Sequence, residues 1–167
     1  LAGPWNAARI GLLQFGIDPQ SSQDRSTAIP IEAVFSFHAR IGLIKKLPAN
    51  TAISYGSTYT LKKNSTIAVL TAGYADGIPY LLGNHGHVII ANQICPIIGR
   101  ITMDQTIVDV SHIPQPKVGD PAILIGNSCD CEITLTSVSQ QANTIPWETL
   151  CSITKRVTRV YLNAREL

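Results

Sequence analysis

Short apolar runs alternate with clusters of Gly, Pro, Asn and Ser along most of the chain. Runs of this length that are rich in Val, Ile and Thr are typical of β-strands. The chain is therefore predicted to be mainly β, as a barrel or a sandwich. Strands are predicted at 33–47, 66–72, 87–91, 106–110, 122–125 and 157–162, with turns between them, for example at Gly83-Asn84, Ala91-Asn92 and Asn127-Ser128.

Helix is predicted to be the minority element. Thr134 precedes a stretch suited to a helix at 135–142, where its hydroxyl can cap the first turn. Pro146 is suited to the first position of another short helical turn. One or two short helices are therefore expected beside the strands.

The first thirty residues differ in character from the rest. An apolar stretch at 8–17 contains one arginine and predicts a strand, and 18–24 is polar and turn-like. A lone strand followed by a linker does not make a core. We therefore interpret residues 1–17 as the tail of a preceding domain, 18–30 as a linker and 31–167 as the β-domain.

Composition and charge exclude several classes of protein. Of the 167 residues, 45% are hydrophobic and 14% are charged, which predicts a folded chain with a sizeable core. The net charge of +2 comes from scattered Lys and Arg in runs no longer than a pair, which argues against a nucleic-acid partner. Apolar stretches are broken well before about 18 residues, so no membrane span is predicted, and we expect a cytoplasmic protein.

The four cysteines do not predict a metal site. Cys95, Cys129, Cys131 and Cys151 lack the paired CxxC spacing of structural zinc sites. We interpret them as isolated thiols that stay reduced in a reducing compartment, with no bound metal.

Candidate chemistry lies in three glycine-containing segments between the apolar runs, at 54–56, 73–77 and 99–105. A tyrosine such as Tyr55 acts as an acid or base only if a neighbour, for example an arginine, brings its pKa down from about 10. Spacing alone does not identify that neighbour. Ordinary structure also explains such a tyrosine, which covers an edge of the core in many proteins.

The other two segments also have structural explanations. Gly73 to Gly77 reads as a turn in which Asp76 bonds to nearby backbone amides. Arg100 and Asp104 are compatible with a surface ion pair of little energetic consequence. From the residues alone, both the structural and the functional interpretations stay open.

Taken in series, six segments resemble the alanine racemase family. They lie at 8–16, 53–60, 73–77, 98–105, 117–120 and 156–161, in the family's order and across nearly the whole chain. The resemblance implies that the chain is the family's C-terminal domain, mainly β and barrel-like. It further implies a homodimer in which an N-terminal β/α barrel binds pyridoxal 5'-phosphate and the β-domain of the other subunit closes the site.

The resemblance also implies an activity. Family members interconvert L- and D-alanine with two bases, a lysine and a tyrosine, and so supply D-alanine for bacterial peptidoglycan. Tyr55 occupies the position of the catalytic tyrosine, which acts across the dimer.

Further site residues are implied by position in the family pattern. For the cofactor they are Arg9 at the pyridine nitrogen, the amides of Gly11 and Leu12 at the phosphate, and Lys155 near the phosphate. For the substrate they are Met103, Tyr74 and Asp104, with Arg100 shaping the entrance.

Some residues depart from the family pattern. No segment resembles the motif around the family's Schiff-base lysine, so we expect this chain to be an inactive part of a longer polypeptide. Lys155 and Phe15 stand where many relatives have tyrosine, and Tyr80 stands where an arginine is common. Two alternatives stay open: a serine racemase of the same architecture, and a non-catalytic dimerisation domain.

Overall fold

The computed structural model describes residues 4, 6–18 and 31–162. Within these residues the chain forms nine strands and two α-helices, joined by short 3₁₀ turns. The strands are β1 (Phe37–Leu47), β2 (Ala52–Ile53), β3 (Tyr59–Thr60), β4 (Ser65–Leu70), β5 (His87–Ile90), β6 (Gln93–Pro96), β7 (Thr106–Asp109), β8 (Pro121–Ser128) and β9 (Cys131–Ile133), and the helices are α1 (Leu135–Gln141) and α2 (Pro146–Ser152). Five of the six predicted strand segments after residue 30 contain or overlap a strand.

The main sheet is antiparallel, with the strand order β6-β5-β8-β1-β4-β7, and β9 pairs with β8. β1 is long because its first half pairs with β8 and its second half with β4, with a change of register between Ile41 and Leu43. β2 and β3 form a separate two-stranded hairpin. The prediction of a mainly β domain is confirmed.

The sheet is not closed into a barrel. Its two edge strands, β6 and β7, are four residues each. Beyond β6 the chain makes one isolated bridge between Ile97 and Val108, and the Ile98 amide donates to the Ile107 carbonyl at 2.9 Å. The domain is therefore barrel-like only in that its two edges approach each other at this point.

Two clusters of buried apolar side chains support the sheet. The larger includes Leu70, Ile89 and Val108, all of them almost fully buried. The smaller consists of Ile53, Leu61, Ile67 and Ile98. Because Ile53 and Ile98 immediately precede two of the candidate segments, this smaller cluster forms their apolar base.

Both predicted helical segments are confirmed. The Thr134 hydroxyl accepts a hydrogen bond from the Ser137 amide at 3.0 Å and so caps α1, and Pro146 is in the first turn of α2. The buried hydroxyls of Ser139 and Thr149 lie 2.8 Å apart and join the two helices. In the part of the chain that the structure describes, no helix is long and apolar enough to cross a membrane.

The strand prediction for residues 8–17 is wrong. Leu12–Phe15 forms a single 3₁₀ turn that ends at Gly16, whose φ is +73°. Leu12 is buried, whereas Ile10 and Leu13 are exposed, and no strand of the described chain lies beside this segment. An apolar stretch without a neighbouring edge forms local hydrogen bonds instead of a ladder.

The strand prediction for residues 157–162 is also wrong. The Arg159 guanidinium donates to the carbonyls of Ile153, Thr154 and Val157, which curls the chain around it. Val160 and Tyr161 are largely exposed. Their β-forming composition has no effect without a strand edge to pair with.

The division into residues 1–17, 18–30 and 31–167 stays a prediction. Most of the proposed linker, residues 19–30, lies outside the described residues. Ile17 packs against the larger core cluster, so the end of the first segment lies close to the β-domain.

Candidate active site

Tyr55 lies at the tip of an unusual turn between β2 and β3. Three neighbours have positive φ: Ser54 at 60°, Gly56 at 71° and Ser57 at 49°. This conformation directs a 70% exposed tyrosine away from the apolar base. The alternative that Tyr55 covers an edge of the core is therefore wrong for the described chain.

Side chains tie this Tyr55 turn to the chain between β6 and β7. The Ser54 hydroxyl donates to the Arg100 carbonyl at 2.6 Å. On the far side of the turn, the Asn84 amide group donates to the Thr58 hydroxyl at 3.2 Å and accepts from the Gly99 amide at 2.6 Å. The turn is therefore fixed at both of its ends.

Arg100 supplies the positive charge at the Tyr55 turn. Its guanidinium lies against Gly56, where an added Cβ would be 3.3 Å from Nη1. The alternative of an Arg100–Asp104 ion pair is wrong, because Asp104 pairs with Arg156 instead, Nη2 to Oδ1 at 2.5 Å. Within the described chain, the Arg100 guanidinium has no hydrogen-bonding partner, so it is available to a ligand.

A second turn places Tyr74 beside Met103. The amides of Tyr74 and Ala75 donate to the carbonyls of Thr102 and Met103, each at 3.0 Å. The approach is close enough that a Cβ on Gly73 would lie 2.2 Å from the Thr102 oxygen. Glycine is therefore required here for contact between the backbones.

Asp76 has the local role that its position predicts. It accepts a hydrogen bond from the Gly73 amide at 2.9 Å and is almost fully buried. Its other oxygen faces the Arg156 Nε at 3.4 Å. The 73–77 segment is thus a turn, as expected, and this turn also shapes the site.

An exposed face of aromatic and thioether groups results. The rings of Tyr74 and Tyr80 meet edge to face, with 6.3 Å between centroids and 72° between planes. Tyr74, Tyr80 and Met103 are each between 43% and 52% exposed. An edge-to-face pair restricts both rings, so Tyr80 holds Tyr74 in place.

Arg156 links the C-terminal segment to this face, and sequence reasoning did not single it out. It bridges Asp76 and Asp104, and its hydrogen bond to Asp104, followed by the charge of Asp76, raises the pKa of Arg156. The Thr154 hydroxyl adds a bond to the Ala75 carbonyl at 2.8 Å. Asp104 is 52 residues away in sequence, so no local pattern indicated the pair.

The predicted cofactor residues lie on exposed segments. Arg9, Gly11 and Lys155 are exposed, and Leu12 is buried. Among the described residues, the amides of Gly11 and Leu12 have no acceptor, and no hydrogen bond or ion pair joins these four residues to Tyr55, Met103 or Asp104. The 99–105 segment bonds to both the Tyr55 turn and the Tyr74 turn, whereas no hydrogen bond or ion pair among the described residues joins a predicted cofactor residue to this segment.

A cavity of about 360 Å³ lies behind the site and was not predicted. Its lining includes His38 and Arg40 of β1, Asp76 of the 73–77 turn, and Arg156 of the C-terminal segment. Burial lowers the pKa of His38. None of the predicted cofactor residues lines it.

The four cysteines are free thiols. Cys95 is fully buried, and this burial, followed by the charge of Asp109, raises the pKa of Cys95 to about 11. A thiol with this pKa stays protonated at neutral pH and acts as a small apolar side chain.

Comparison with known proteins decides the family. The family described as "Alanine racemase, C-terminal domain" matches residues 34–161. The chain belongs to the alanine racemase C-terminal domain family. The resemblance to the C-terminal domain of the alanine racemase family is thereby confirmed.

Individual relatives agree with this assignment. The alanine racemase of Halothermothrix orenii is 41% identical over 155 residues, which are 93% of this chain and 40% of that protein. Alanine racemase 1 of Oceanobacillus iheyensis is 42% identical over 155 residues, 92% of this chain and 41% of that protein. This chain thus spans about 40% of the relatives that it matches.

Solved structures of alanine racemases share the fold. The structure from Bacillus anthracis with bound L-Ala-P matches with a TM-score of 0.88 and 31% identity, over 96% of this chain and 41% of that chain. The structure from Bartonella henselae with covalently bound pyridoxal phosphate matches with a TM-score of 0.82 and 34% identity, over 91% and 40%. The described fold is therefore that of the alanine racemase C-terminal domain.

Proposed function

We propose that this chain is the C-terminal part of a pyridoxal 5'-phosphate-dependent alanine racemase in which Tyr55 is one of two catalytic bases. The observation that carries the proposal is the exposed Tyr55, held in a tethered turn beside Arg100, inside a domain whose relatives are named alanine racemases. The enzyme supplies D-alanine for peptidoglycan in the cytoplasm of a bacterium.

Inversion at a carbon atom requires a base on each face of the substrate. Pyridoxal phosphate, when bound, makes the proton on the substrate Cα acidic enough for a modest base to remove. The Tyr55 oxygen takes or returns that proton on one face, and a lysine outside this chain serves the other. The Arg100 guanidinium lies against Gly56, the residue after Tyr55, and so adds positive charge to the turn that carries the tyrosine.

The substrate side of the site fits a small amino acid. The Met103 amide has no acceptor among the described residues, and a backbone donor in this state suits a carboxylate. Tyr74 and Asp104 lie beside it and line the approach. These positions support alanine as the substrate, with Met103 binding its carboxylate.

Four residues of this chain suit parts of the cofactor. The acceptor-free amides of Gly11 and Leu12 suit a phosphate group, and the exposed Lys155 adds positive charge for the same group. Arg9 would face the pyridine nitrogen, and its positive charge would disfavour protonation of the ring. We propose these four residues as the cofactor contacts of this chain.

The partner is a second copy of the protein. Tyr55 and Met103 are exposed, and no hydrogen bond or ion pair joins them to the predicted cofactor residues among the described residues. They therefore fit a site completed by the other subunit. We propose a homodimer with two such shared sites.

The test is racemisation of L-alanine by the full-length protein with pyridoxal phosphate, comparing Tyr55→Phe with Tyr59→Phe. Loss of a general base costs roughly 10²–10⁴-fold in rate, so we expect a loss of this size for Tyr55→Phe. Tyr59 lies in β3 of the same hairpin and undergoes the same chemical change. We expect near-normal activity for Tyr59→Phe.

Other results would select the alternatives. Faster turnover of L-serine than of L-alanine would indicate a serine racemase. Cofactor binding and dimerisation without turnover of either amino acid would indicate a non-catalytic dimerisation domain. An active Tyr55→Phe enzyme would move the second base to another residue.

A further inference from the structure

The conformation of the Tyr55 turn is costly on its own. Ser54 has φ 60° and ψ −174°, a region that is almost restricted to glycine, and Ser57 also has positive φ. Inside the turn there is one long backbone hydrogen bond, from the Ser57 amide to the Ser54 carbonyl at 3.3 Å. Such a conformation persists only when its surroundings determine it.

Side-chain hydrogen bonds provide that support at both ends of the turn. Ser54, before Tyr55, bonds directly to the Arg100 carbonyl. Thr58, after the turn, reaches the same stretch of chain only through Asn84, which bonds to the Gly99 amide. Among the described residues, the Asn84 side chain therefore links the C-terminal end of the turn to the Gly99–Arg100 backbone.

Asparagine suits this position for two reasons. Its φ of 66° is one that asparagine tolerates better than most residues. Its amide group also contains one acceptor and two donors, so a single side chain satisfies the Gly99 N–H and the Thr58 hydroxyl together. Asn84 thus joins three segments that are far apart in sequence.

We propose that Asn84 is a positioning residue that sets the location of the Tyr55 oxygen relative to the substrate Cα. This inference rests on the proposed function of Tyr55. When the bond to Thr58 is lost, the C-terminal end of the turn is released and Tyr55 samples unproductive positions. A displacement of about 1 Å costs up to roughly 100-fold in rate, so we expect a loss of about ten-fold or more.

The experiment uses the full-length enzyme with pyridoxal phosphate and two variants. Asn84→Gly removes both bonds while glycine accepts the positive φ. Thr58→Val removes only the hydroxyl at an exposed position and leaves Asn84 bonded to Gly99. The matched control is Asn50→Gly, because Asn50 has φ 67° and no side-chain hydrogen bond in the described chain.

Two readouts separate positioning from a general structural effect. The equilibrium constant between enantiomers is 1, so kcat/KM falls equally in both directions. The α-deuterium isotope effect, however, rises only with the enantiomer whose proton Tyr55 removes. Independently of activity, amide hydrogen exchange at residues 54–58 increases in both variants and stays unchanged in Asn50→Gly.

The outcomes are distinct. If kcat, the isotope effects and the exchange at 54–58 are unchanged in Thr58→Val while Tyr55→Phe is inactive, the proposal for Asn84 is wrong and the function of Tyr55 stands. If Tyr55→Phe is fully active, both fail. Should Asn84→Gly not fold, Thr58→Val alone decides the matter.

Discussion

The predicted site residues fall into two groups that are held in very different ways. The substrate-side group (Tyr55, Tyr74, Met103 and Asp104) is anchored by hydrogen bonds and an ion pair between segments far apart in sequence. The cofactor-side group (Arg9, Gly11, Leu12 and Lys155) lies on segments that are mostly exposed, with Leu12 as the buried exception. The two groups thus differ in how fully contacts within the described chain order them.

This difference shows which contacts determine the geometry of each group. Groups that act on a reacting atom need their positions fixed before substrate arrives, and neighbouring side chains of the same domain achieve this for Tyr55. Among the cofactor-side residues, no hydrogen bond or ion pair holds the side chain of Arg9 or Lys155 in the described chain, so the positions of these two charged groups depend on contacts made elsewhere. Substitutions in the two groups are therefore expected to differ in their effect on stability.

The largest expected effect is at Gly73, next to Tyr74 of the substrate-side group, and it is compared with Gly11 of the cofactor-side group. A Cβ on Gly73 would lie 2.2 Å from the Thr102 oxygen and 2.5 Å from the Met103 oxygen, whereas one on Gly11 would meet nothing nearer than 3.8 Å. We expect Gly73→Ala to lower the free energy of unfolding by about 3 kcal/mol. Urea denaturation of the protein measures the difference.

Gly11→Ala is the matched control, because it adds the same methyl group without a clash. We expect a change within about 0.5 kcal/mol. Equal losses for the two variants would show that both groups are held equally tightly, and the comparison would then be wrong.

A smaller effect is expected at the two carboxylates that Arg156 bridges. Asp76 is almost fully buried and accepts the Gly73 amide, whereas 56% of the Asp104 side chain is exposed. We expect Asp76→Asn to cost about 1–2 kcal/mol and Asp104→Asn to cost less. Thermal or urea unfolding measures both variants. If Asp104→Asn lowered the free energy of unfolding more than Asp76→Asn did, Asp104 would be the main anchor of the C-terminal segment.

The smallest expected effect concerns the stability of the protein at acidic pH. It tests how firmly the C-terminal segment is held against the sheet. Val157 and Thr158 help to line the cavity that contains His38, and burial lowers the pKa of His38. The folded protein thus favours the neutral ring. The stabilising contribution is fully present above the unfolded pKa of about 6.5 and is lost as the pH falls through the lower folded value.

NMR titration of His38 checks this directly. We expect a pKa below the usual histidine value of about 6.5, and we expect Arg156→Gln to shift it upward as the C-terminal segment loosens. An unchanged value in the variant would show that other contacts hold the segment on the sheet.

Much of the fold followed from patterning, and the exceptions have physical causes. Short runs rich in Val, Ile and Thr predicted β1, β4, β5, β7 and β8, and side-chain capping predicted α1. β2 and β3 have two residues each, too short to give a periodic signal. The segments at 8–17 and 157–162 have strand composition but no edge to pair with, and a single sequence does not reveal pairing partners.

The site shows the same limit. Tyr55, Tyr74 and Met103 were found because they lie in motifs that are contiguous in sequence. Asn84 was recognised only as part of a turn, and Arg156 only as part of a family-like segment, since their partners lie 15 to 52 residues away. Long-range hydrogen bonds of single side chains leave no local pattern, and these are the bonds that orient the site.

The bridge between Ile97 and Val108 has a consequence for handling the protein. Free edges of sheets recruit strands from other molecules and start aggregation. Here each edge strand is four residues long, and the bridge together with the Ile98–Ile107 bond occupies part of β7. The open sheet is thus partly protected from pairing with other molecules, as a closed barrel would be. Breaking this junction, for example with Ile98→Pro, would create an edge for intermolecular pairing.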